Sequence, residues 1–228
     1  MATRAVLAEL AQAYTARTGV QTAIASVGGV DAAKRVAAGE FFDVVFLASD
    51  ALDKLIAAGH VLPGRVDLVR SPVALAVRAG TPHPDVSSEA ALKQAVLAAP
   101  TLGYSTGPSG NHLAALFERW GIADAVRERV VVPPPGVPVG QLVAEGRVAL
   151  GFQQLSELMS LPGIDVLGLL PAGTEFITTF SAGVAAVSPN GDAVRAMLDD
   201  MASPDADAAK QRHGMAPARD GFIQETTP

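Results

Sequence analysis

The sequence predicts an α/β fold in two lobes, with parallel-rich sheets covered by helices on both faces. Short apolar runs of Val, Leu and Ala alternate with helical patterns over nearly the whole chain. Glycines such as Gly19, Gly59 and Gly121 stand where the helical patterns end. Hydrophobic residues make up 49% of the 228 residues, which is enough for a sizeable buried core.

The first half of the chain begins with a helix. Residues 4–18 repeat apolar side chains such as Val6 and Leu10 on one helical face, and Gly19 follows as a stop signal. The elements predicted next are strand Val20–Ala25, a short helix ending at Gly39, strand Asp43–Leu47, a helix from Ser49 to Gly59, strand Pro72–Val77 and helix 88–98. Because a sheet of this kind usually begins with a strand, either this protein lacks that strand or its true start lies upstream.

The second half continues the alternation of strand and helix. Its predicted elements are strand Thr101–Ser105, helix 109–120, strand Arg129–Val132, helix Val139–Glu145, strands Val148–Phe152 and Asp165–Leu169, the β-prone segment Phe176–Val187, and helices 192–202 and 204–213. We expect one lobe to comprise residues 1–75 and 180–228, and the other residues 76–179. The crossings are placed near 71–80 and 171–182, since each of these segments follows a turn and leads into a strand.

Charge and composition exclude several classes of function. The net charge is −6 and no cluster of Lys or Arg tracks a phosphate backbone, so nucleic acid is not expected as a partner. The chain has no cysteine, which removes disulfides, thiolate metal sites and cysteine nucleophiles. The 4 histidines lie without the spacing of metal ligands, and the common nucleotide-binding and hydrolase motifs are missing. We therefore expect a site that works without metal or cofactor.

The sequence also bears on where the protein acts. No apolar run reaches the roughly 18 residues that span a bilayer. The first residues lack the basic region, long apolar stretch and cleavage site of a secretory signal. As written, the chain is expected in the cytoplasm, and in the periplasm if its start lies upstream.

Polar and glycine residues follow the carboxyl ends of predicted strands, which is where ligands bind in open α/β sheets. The candidate ligand-binding residues at these ends are Ser26, Gly28, Gly29, Arg78, Ser105, Thr106, Ser109, Gly110, Gln153, Gln154 and Ser156. Hydroxyls, amides, helix-start N–H groups and one arginine suit a small, multiply charged anion. Each residue also has a plainer interpretation, because Ser and Gly at strand–helix junctions often only cap the helix. Of the adjacent Gln153 and Gln154, at most one points the same way as its neighbours in a strand.

Two residues near these strand ends are candidate bases. His112 lies in the first turn of helix 109–120, where the helix dipole favours a neutral imidazole that can accept a proton. Glu157 follows strand Val148–Phe152 and is the other candidate. Their plainer interpretations are a surface histidine and an acid that opens a short helix.

Six motifs stand at the junctions between these elements. They are Ser26-Val27-Gly28-Gly29, Ala37-Ala38-Gly39-Glu40 followed by Phe42-Asp43-Val44-Val45, Ala76-Val77-Arg78-Ala79-Gly80, Ser105-Thr106-Gly107-Pro108-Ser109-Gly110, Leu142-Val143-Ala144-Glu145-Gly146 and Gln153-Gln154-Leu155-Ser156-Glu157-Leu158. In this combination the chain resembles the molybdate-binding-protein-like group of the type II periplasmic binding protein superfamily, over about residues 3–216.

The resemblance implies two α/β lobes on a hinge, with a ligand closed in the cleft between them. It implies an oxyanion held by hydroxyls and backbone amides, and Ser26 and the loop Ser105–Gly110 match the positions of such loops. The family's first ligand loop would precede Met1. A monomer is expected, with an ABC permease as partner only if the protein is exported.

The sequence departs from molybdate receptors after strand Val148–Phe152. Those receptors tend to carry a Tyr and an Asp-Ala step where this chain has Gln153-Gln154-Leu155-Ser156-Glu157, a set better suited to a larger, planar carboxylate. A side branch of the group, typified by aconitate isomerase, is similar in this respect. Three functions stay open: an isomerase that shifts a proton and a double bond in an aconitate-like substrate, an anion receptor of an ABC transporter, and a cytoplasmic sensor that binds a metabolite.

Overall fold

The computed structural model describes residues 1–134 and 136–219. Helices and strands alternate along it, so the predicted α/β class is confirmed. Its internal contacts divide the chain into unit 1, residues 1–71 and those from 178 onward, and unit 2, residues 72–177. Among the described residues, none of the helices combines the length and apolar character needed to span a bilayer.

The regular elements of the described residues follow one another in the order below. The helices are α1 Arg4–Thr18, α2 Gly29–Ala37, α3 Ser49–Ala57, α4 Glu89–Ala98, α5 Pro108–Arg119, α6 Ala123–Val126, α7 Val139–Ala144, α8 Leu155–Leu158, α9 Gly191–Ala202 and α10 Asp207–Arg212. The strands are β1 Val44–Ala48, β2 Val66–Arg78, β3 Leu102–Gly103, β4 Val130–Val131, β5 Leu150–Gln154, β6 Ile164–Leu169, β7 Ile177–Val184 and β8 Ala216–Pro217.

Helix α1 has the bounds that the sequence predicts. Its buried residues are Val6, Leu7, Leu10, Ala11 and Tyr14. They belong to the core that α1 shares with α9 and α10. Gly19 adopts a φ of 76°, and its N–H donates to the carbonyl of Thr15, which closes the last turn.

The predicted strand Val20–Ala25 is wrong. The chain there has no regular structure, and Val20 and Ile24 are 44% and 41% exposed. An apolar run becomes a strand when a neighbouring strand pairs with it, and none of the pairings in the described sheets includes this segment.

The sheet of unit 1 has helices on both faces. β1 pairs antiparallel with β7, and the first part of β2 pairs antiparallel with β8. Phe46 and Val184 pack into the core formed with α1, α9 and α10. Val45 and Leu47 point the other way, into the core formed with α2 and α3. The alternation of side chains along β1 therefore serves two helical layers.

The sheet of unit 2 is mixed. β3 runs parallel to β4 and β5, with Leu102 opposite Val130 and Leu150. The second part of β2 runs antiparallel to β5 and β6. Leu75 and Phe152 pack with α4 and α5 on one face of this sheet. The carboxyl ends of β2 and β5 consequently lie at opposite edges.

Glycines let helix α7 lie close against this sheet. A Cβ on Gly151 would come within 2.5 Å of Val143 Cγ2 of α7. A Cβ on Gly103 would come within 3.1 Å of Val139 Cγ1. Both strands therefore keep glycine where the helix approaches.

Candidate anion site

The candidate site begins at one edge of the unit 2 sheet, where β3 and β5 end. Because these strands are parallel and Gly103 lies opposite Gly151, their carboxyl ends meet at this edge. β3 continues into the loop before α5, and β5 continues directly into α8. The predicted site residues in Ser105–Gly110 and Gln153–Glu157 are thus brought to one edge.

The loop before α5 folds back over the first turn of that helix. A Cβ on Gly110 would lie 1.6 Å from the carbonyl oxygen of Ser105, so glycine is required. Ser109 is buried, and its Oγ lies 3.5 Å from Ser105 Oγ. Pro108 takes the first helical position, where its missing N–H removes no helical bond. Thr106 is exposed beside them. A helix N-terminus with two adjacent hydroxyls is an arrangement that binds anions.

His112 lies half-buried at the start of the second turn of α5. Its Nε2 is 3.1 Å from the carbonyl oxygen of Thr174, and its ring stacks on Phe176 with centroids 4.6 Å apart and planes 23° apart. A carbonyl oxygen can only accept, so Nε2 carries the hydrogen and donates it. In the neutral imidazole this leaves Nδ1 as the acceptor.

The turn that contains Thr174, the hydrogen-bond partner of His112, is fixed by hydrogen bonds of its own. Thr174 is 1% exposed, and its N–H and Oγ1 donate to the carbonyl of Pro171 at 3.0 and 2.7 Å. The carbonyl of Phe176 accepts the N–H of Val73 in β2 at 3.0 Å. Sequence reasoning missed these supports, because 62 residues separate Thr174 from the histidine and no local pattern joins them.

Glu157 lies half-buried in α8, directly after the half-buried Ser156. Burial raises the pKa of the Glu157 carboxyl, and a hydrogen bond with the Gln153 side chain opposes that rise. Gln153 is 5% exposed, and its Oε1 accepts the backbone N–H of Gly140 at 2.9 Å. Since the amide oxygen is engaged there, Nε2 is the atom of Gln153 that donates to the carboxylate.

The two glutamines point to opposite faces of β5. Gln153 shares a face with Gly151, which lies against α7. Gln154, which is also buried, shares the other face with Phe152. The Phe152 ring packs edge-on against Phe117 of α5, with centroids 6.4 Å apart. Gln154 is therefore the glutamine on the α5 side of the sheet.

Arg78 lies at the opposite edge of the unit 2 sheet. It ends β2 and stands opposite Ile164, the first residue of β6. Its guanidinium lies beside Gly146, where a Cβ would be 3.3 Å from one of its nitrogens. The prediction that Arg78 shares an edge with Ser105 and Gln154 is wrong, because it assumed that β2 runs parallel to β3 and β5.

The three remaining predicted residues belong to unit 1. Ser26 is exposed and follows the irregular segment after α1. Gly28 is the N-cap of α2, and Gly29 is its first residue. The plain interpretation of these glycines as a helix start agrees with their position.

Comparison with known proteins places the chain in a class. The family model described as bacterial extracellular solute-binding protein matches residues 1–216. The chain belongs to this family, and the resemblance inferred from its motifs is confirmed.

One relative has a higher sequence identity to this chain than the solved structures described below. The chain is 41% identical over 218 residues to aconitate isomerase of Pseudomonas sp, a match that covers 92% of this chain and 82% of that protein.

Solved structures share the fold at lower identity. The periplasmic molybdate-binding protein of Azotobacter vinelandii superposes with a TM-score of 0.76 at 20% identity, covering 94% of this chain and 95% of that one. The sulfate-binding protein SubI of Mycobacterium tuberculosis superposes with a TM-score of 0.74 at 20% identity, covering 94% and 83%. These similarities confirm the type II periplasmic-binding-protein fold.

Proposed function

We propose that this protein is an isomerase that interconverts trans- and cis-aconitate, or a closely similar unsaturated polycarboxylate. The observation that supports this most is the 41% identity to an aconitate isomerase over 92% of the chain. The edge of the unit 2 sheet adds a chemical argument, because a helix start of the kind that binds anions and the half-buried carboxylate of Glu157 both follow strands that end there.

The proposed reaction moves one proton and one double bond. A base removes a proton from the methylene carbon next to a carboxylate, and the electron pair of that C–H bond forms a new C=C bond. The old C=C bond shifts its electrons toward the neighbouring carboxylate, and a proton is then added at the former vinyl carbon. Nothing is oxidised or reduced, so the step needs no cofactor.

The substrate carboxylates would bind at the start of α5. Backbone N–H groups of the first turn and the hydroxyls of Ser105 and Ser109 stabilise negative charge where it develops during proton removal. His112 adds a group just beyond that turn. Protonated on Nδ1, it would donate a charge-assisted hydrogen bond to a carboxylate, because Nε2 is already committed to Thr174.

We assign the proton transfer to Glu157. A general base works best when its pKa lies near the operating pH, and burial raises the pKa of this carboxyl toward neutrality. His112 is the second candidate, through Nδ1. The two are separated by Glu157→Gln and His112→Gln variants: loss of the base lowers kcat, whereas loss of a carboxylate-binding group mainly raises KM.

The test is proton NMR of trans-aconitate and of cis-aconitate incubated with the purified protein. We expect the vinyl signal of each isomer to give rise to that of the other with wild type and not with Glu157→Gln. In a thermal unfolding assay, a ligand at a hundredfold excess over its dissociation constant stabilises the protein by about 2.7 kcal/mol. Aconitate that neither stabilises nor is converted by wild type would overturn the proposal.

A second candidate function is an oxyanion-binding component of an ABC transporter. The observation in its favour is the paired hydroxyls at the α5 N-terminus, which suit a tetrahedral oxyanion as well as a carboxylate. Strong stabilisation by molybdate or sulfate, together with no conversion of aconitate, would select this function.

A further inference from the structure

Helix α5 contacts the turn Pro171–Thr174 at two points. His112 Nε2 lies 3.1 Å from the carbonyl oxygen of Thr174, and Arg119 Nη2 donates to the carbonyl of Gly173 at 3.0 Å. Residues seven apart in a helix lie on the same face, about two turns from each other. Two side chains on one face of α5 therefore bind neighbouring carbonyls of the same turn.

Arg119 is itself held by a carboxylate of helix α4. Its Nη2 also donates to Glu89 Oε1 at 2.7 Å, and Trp120 Nε1 donates to the same oxygen at 2.7 Å. Glu89 is the first residue of α4, and this helix end is capped by Ser88, whose Oγ accepts the N–H of Ala91 at 3.2 Å. The guanidinium thus joins the start of α4 to the turn.

Glycine allows the turn to approach Glu89 closely. Gly173 has a φ of 84°, which side chains of the L configuration rarely adopt, and a Cβ there would lie 3.2 Å from Glu89 Oε2. Because the turn comes this near, its carbonyl can bind the same guanidinium that binds the carboxylate.

The peptide group between Gly173 and Thr174 is bound at both ends. Its oxygen accepts from Arg119, and its N–H donates to the carbonyl of Pro171 at 3.0 Å. A peptide group is planar, so these two bonds fix its orientation as a unit. The next carbonyl along the chain is that of Thr174, the acceptor for His112, and its direction depends on this peptide.

We propose that Arg119, anchored by Glu89, is a positioning residue that orients the turn Pro171–Thr174 and, through it, the imidazole of His112. It keeps the Thr174 carbonyl where this oxygen accepts from Nε2, so that Nδ1 is the ring nitrogen left for a ligand at the start of α5. This inference rests on the proposed function, in which His112 binds a substrate carboxylate.

The first test needs no substrate. The ¹⁵N shifts of the two His112 ring nitrogens, recorded at a pH where the imidazole is neutral, give the ratio of the Nε2–H to the Nδ1–H tautomer. We expect Arg119→Met, which keeps an apolar side chain and removes the guanidinium, to lower this ratio about tenfold, the equivalent of one lost hydrogen bond. An unchanged ratio would overturn the positioning role.

The matched control is Arg127→Met. Arg127 pairs with Asp124 on the surface, with both side chains largely exposed, and neither touches the turn. This variant should leave the His112 tautomer ratio at its wild-type value. A fall in Arg127→Met as large as in Arg119→Met would mean that loss of any surface arginine disturbs His112, and would overturn the proposal.

A second variant keeps the proposal testable where Arg119→Met fails to fold. Glu89→Ala removes the anchor and leaves Arg119 in place. We expect the tautomer ratio to fall about threefold, less than in Arg119→Met, because the guanidinium can still donate to Gly173. A wild-type ratio in Glu89→Ala would contradict the role given to the anchor.

The closing test is kinetic. We expect Arg119→Met to raise KM for aconitate between about threefold and tenfold and to change kcat less than about twofold, because the imidazole that it orients binds a substrate carboxylate. In a His112→Gln background the same change should have little further effect, since the group that Arg119 positions is gone. An equal rise of KM in both backgrounds would show that Arg119 does not act through His112.

The outcomes separate this inference from the proposed function. If wild type converts aconitate and the tautomer ratio is the same in Arg119→Met, the positioning role is wrong and the isomerase stands. If wild type does not convert aconitate and the ratio falls as expected, the proposed function fails, whereas the orientation of His112 by Arg119 is supported.

Discussion

Two Ser/Gly loops of this chain look alike in sequence and differ in structure. The segment Ser26–Gly29 in unit 1 and the loop Ser105–Gly110 in unit 2 each follow an apolar run and precede a helix. The second follows a paired strand, and its Gly110 is pressed against the carbonyl of Ser105. The first follows an unpaired, exposed segment, and a Cβ on Gly29 would meet Leu47 at an ordinary 3.8 Å. A Ser/Gly pattern thus forms a closely packed loop when the strand before it pairs with a neighbouring strand on each side.

The largest expected effect tests whether the paired strand β3 stabilises the loop that follows it. Leu102→Ala in β3 removes a fully buried side chain, and we expect it to lower the free energy of unfolding by about 2–5 kcal/mol. Ile24→Ala, at a 41% exposed position in the segment before Ser26, should change it by less than about 0.5 kcal/mol. Chemical denaturation measures both. An Ile24→Ala variant as unstable as Leu102→Ala would show that the unit 1 segment is held as firmly.

The next effect concerns the glycines. Gly110→Ala forces a Cβ against a backbone carbonyl that cannot rotate away, and should cost about 3 kcal/mol. Gly29→Ala has room, and a helical alanine lowers the entropy of the unfolded chain, so stability should stay level or rise by about 0.5 kcal/mol. Thermal unfolding of the two variants in parallel decides this, and equal losses would contradict the contrast between the loops.

A smaller effect is expected on ligand affinity. Ser105→Ala should weaken binding of trans-aconitate about tenfold, because a hydrogen bond to a charged group contributes about 1.5 kcal/mol. Ser26→Ala should weaken it less than about threefold, since the exposed serine is not backed by a paired strand. Isothermal titration calorimetry gives both constants. A larger loss in Ser26→Ala would reverse the ranking of the two loops.

The smallest expected effects are on the pH dependence of stability. The pKa is raised for an acid in unit 2 and lowered for an acid in unit 1, so the two acids affect stability in opposite directions. Burial raises the pKa of Glu157 above 4.5, so its ionisation destabilises the fold at neutral pH and that penalty disappears as the pH falls toward 4.5. Glu157→Gln should therefore be more stable than wild type near pH 7, with the difference shrinking in acid. A hydrogen bond from Arg35 lowers the pKa of Glu40 below 4.5, so Glu40→Gln should be less stable near pH 7 and equal to wild type at low pH. Melting temperatures measured from pH 8 down to well below the lowered pKa of Glu40 follow both trends.

Local patterns predicted the elements of this fold better than their directions. Helix α1 follows from its apolar period and Gly19, which act within the helix itself. The predicted position of Arg78 was wrong because β2 pairs antiparallel with β5. An apolar run in the sequence does not show whether a strand will pair parallel or antiparallel. The sequence places the loop before α5 and Glu157 at one edge of the sheet because each follows a strand directly, and their roles in a site stay predictions. The hydrogen bond between His112 and Thr174 and the one from Gly140 to Gln153 were not predicted, because such contacts join distant parts of the chain.

The hydrogen bond between His112 and the carbonyl of Thr174 has a spectroscopic consequence. Because Nε2 donates to the carbonyl of Thr174, Nδ1 is the ring nitrogen left to interact with a ligand at the proposed site. If an anion binds at the start of α5 as proposed and contacts Nδ1, the ¹⁵N resonance of Nδ1 should shift more than that of Nε2. In ¹⁵N-enriched protein, this histidine would therefore report ligand binding without an attached probe.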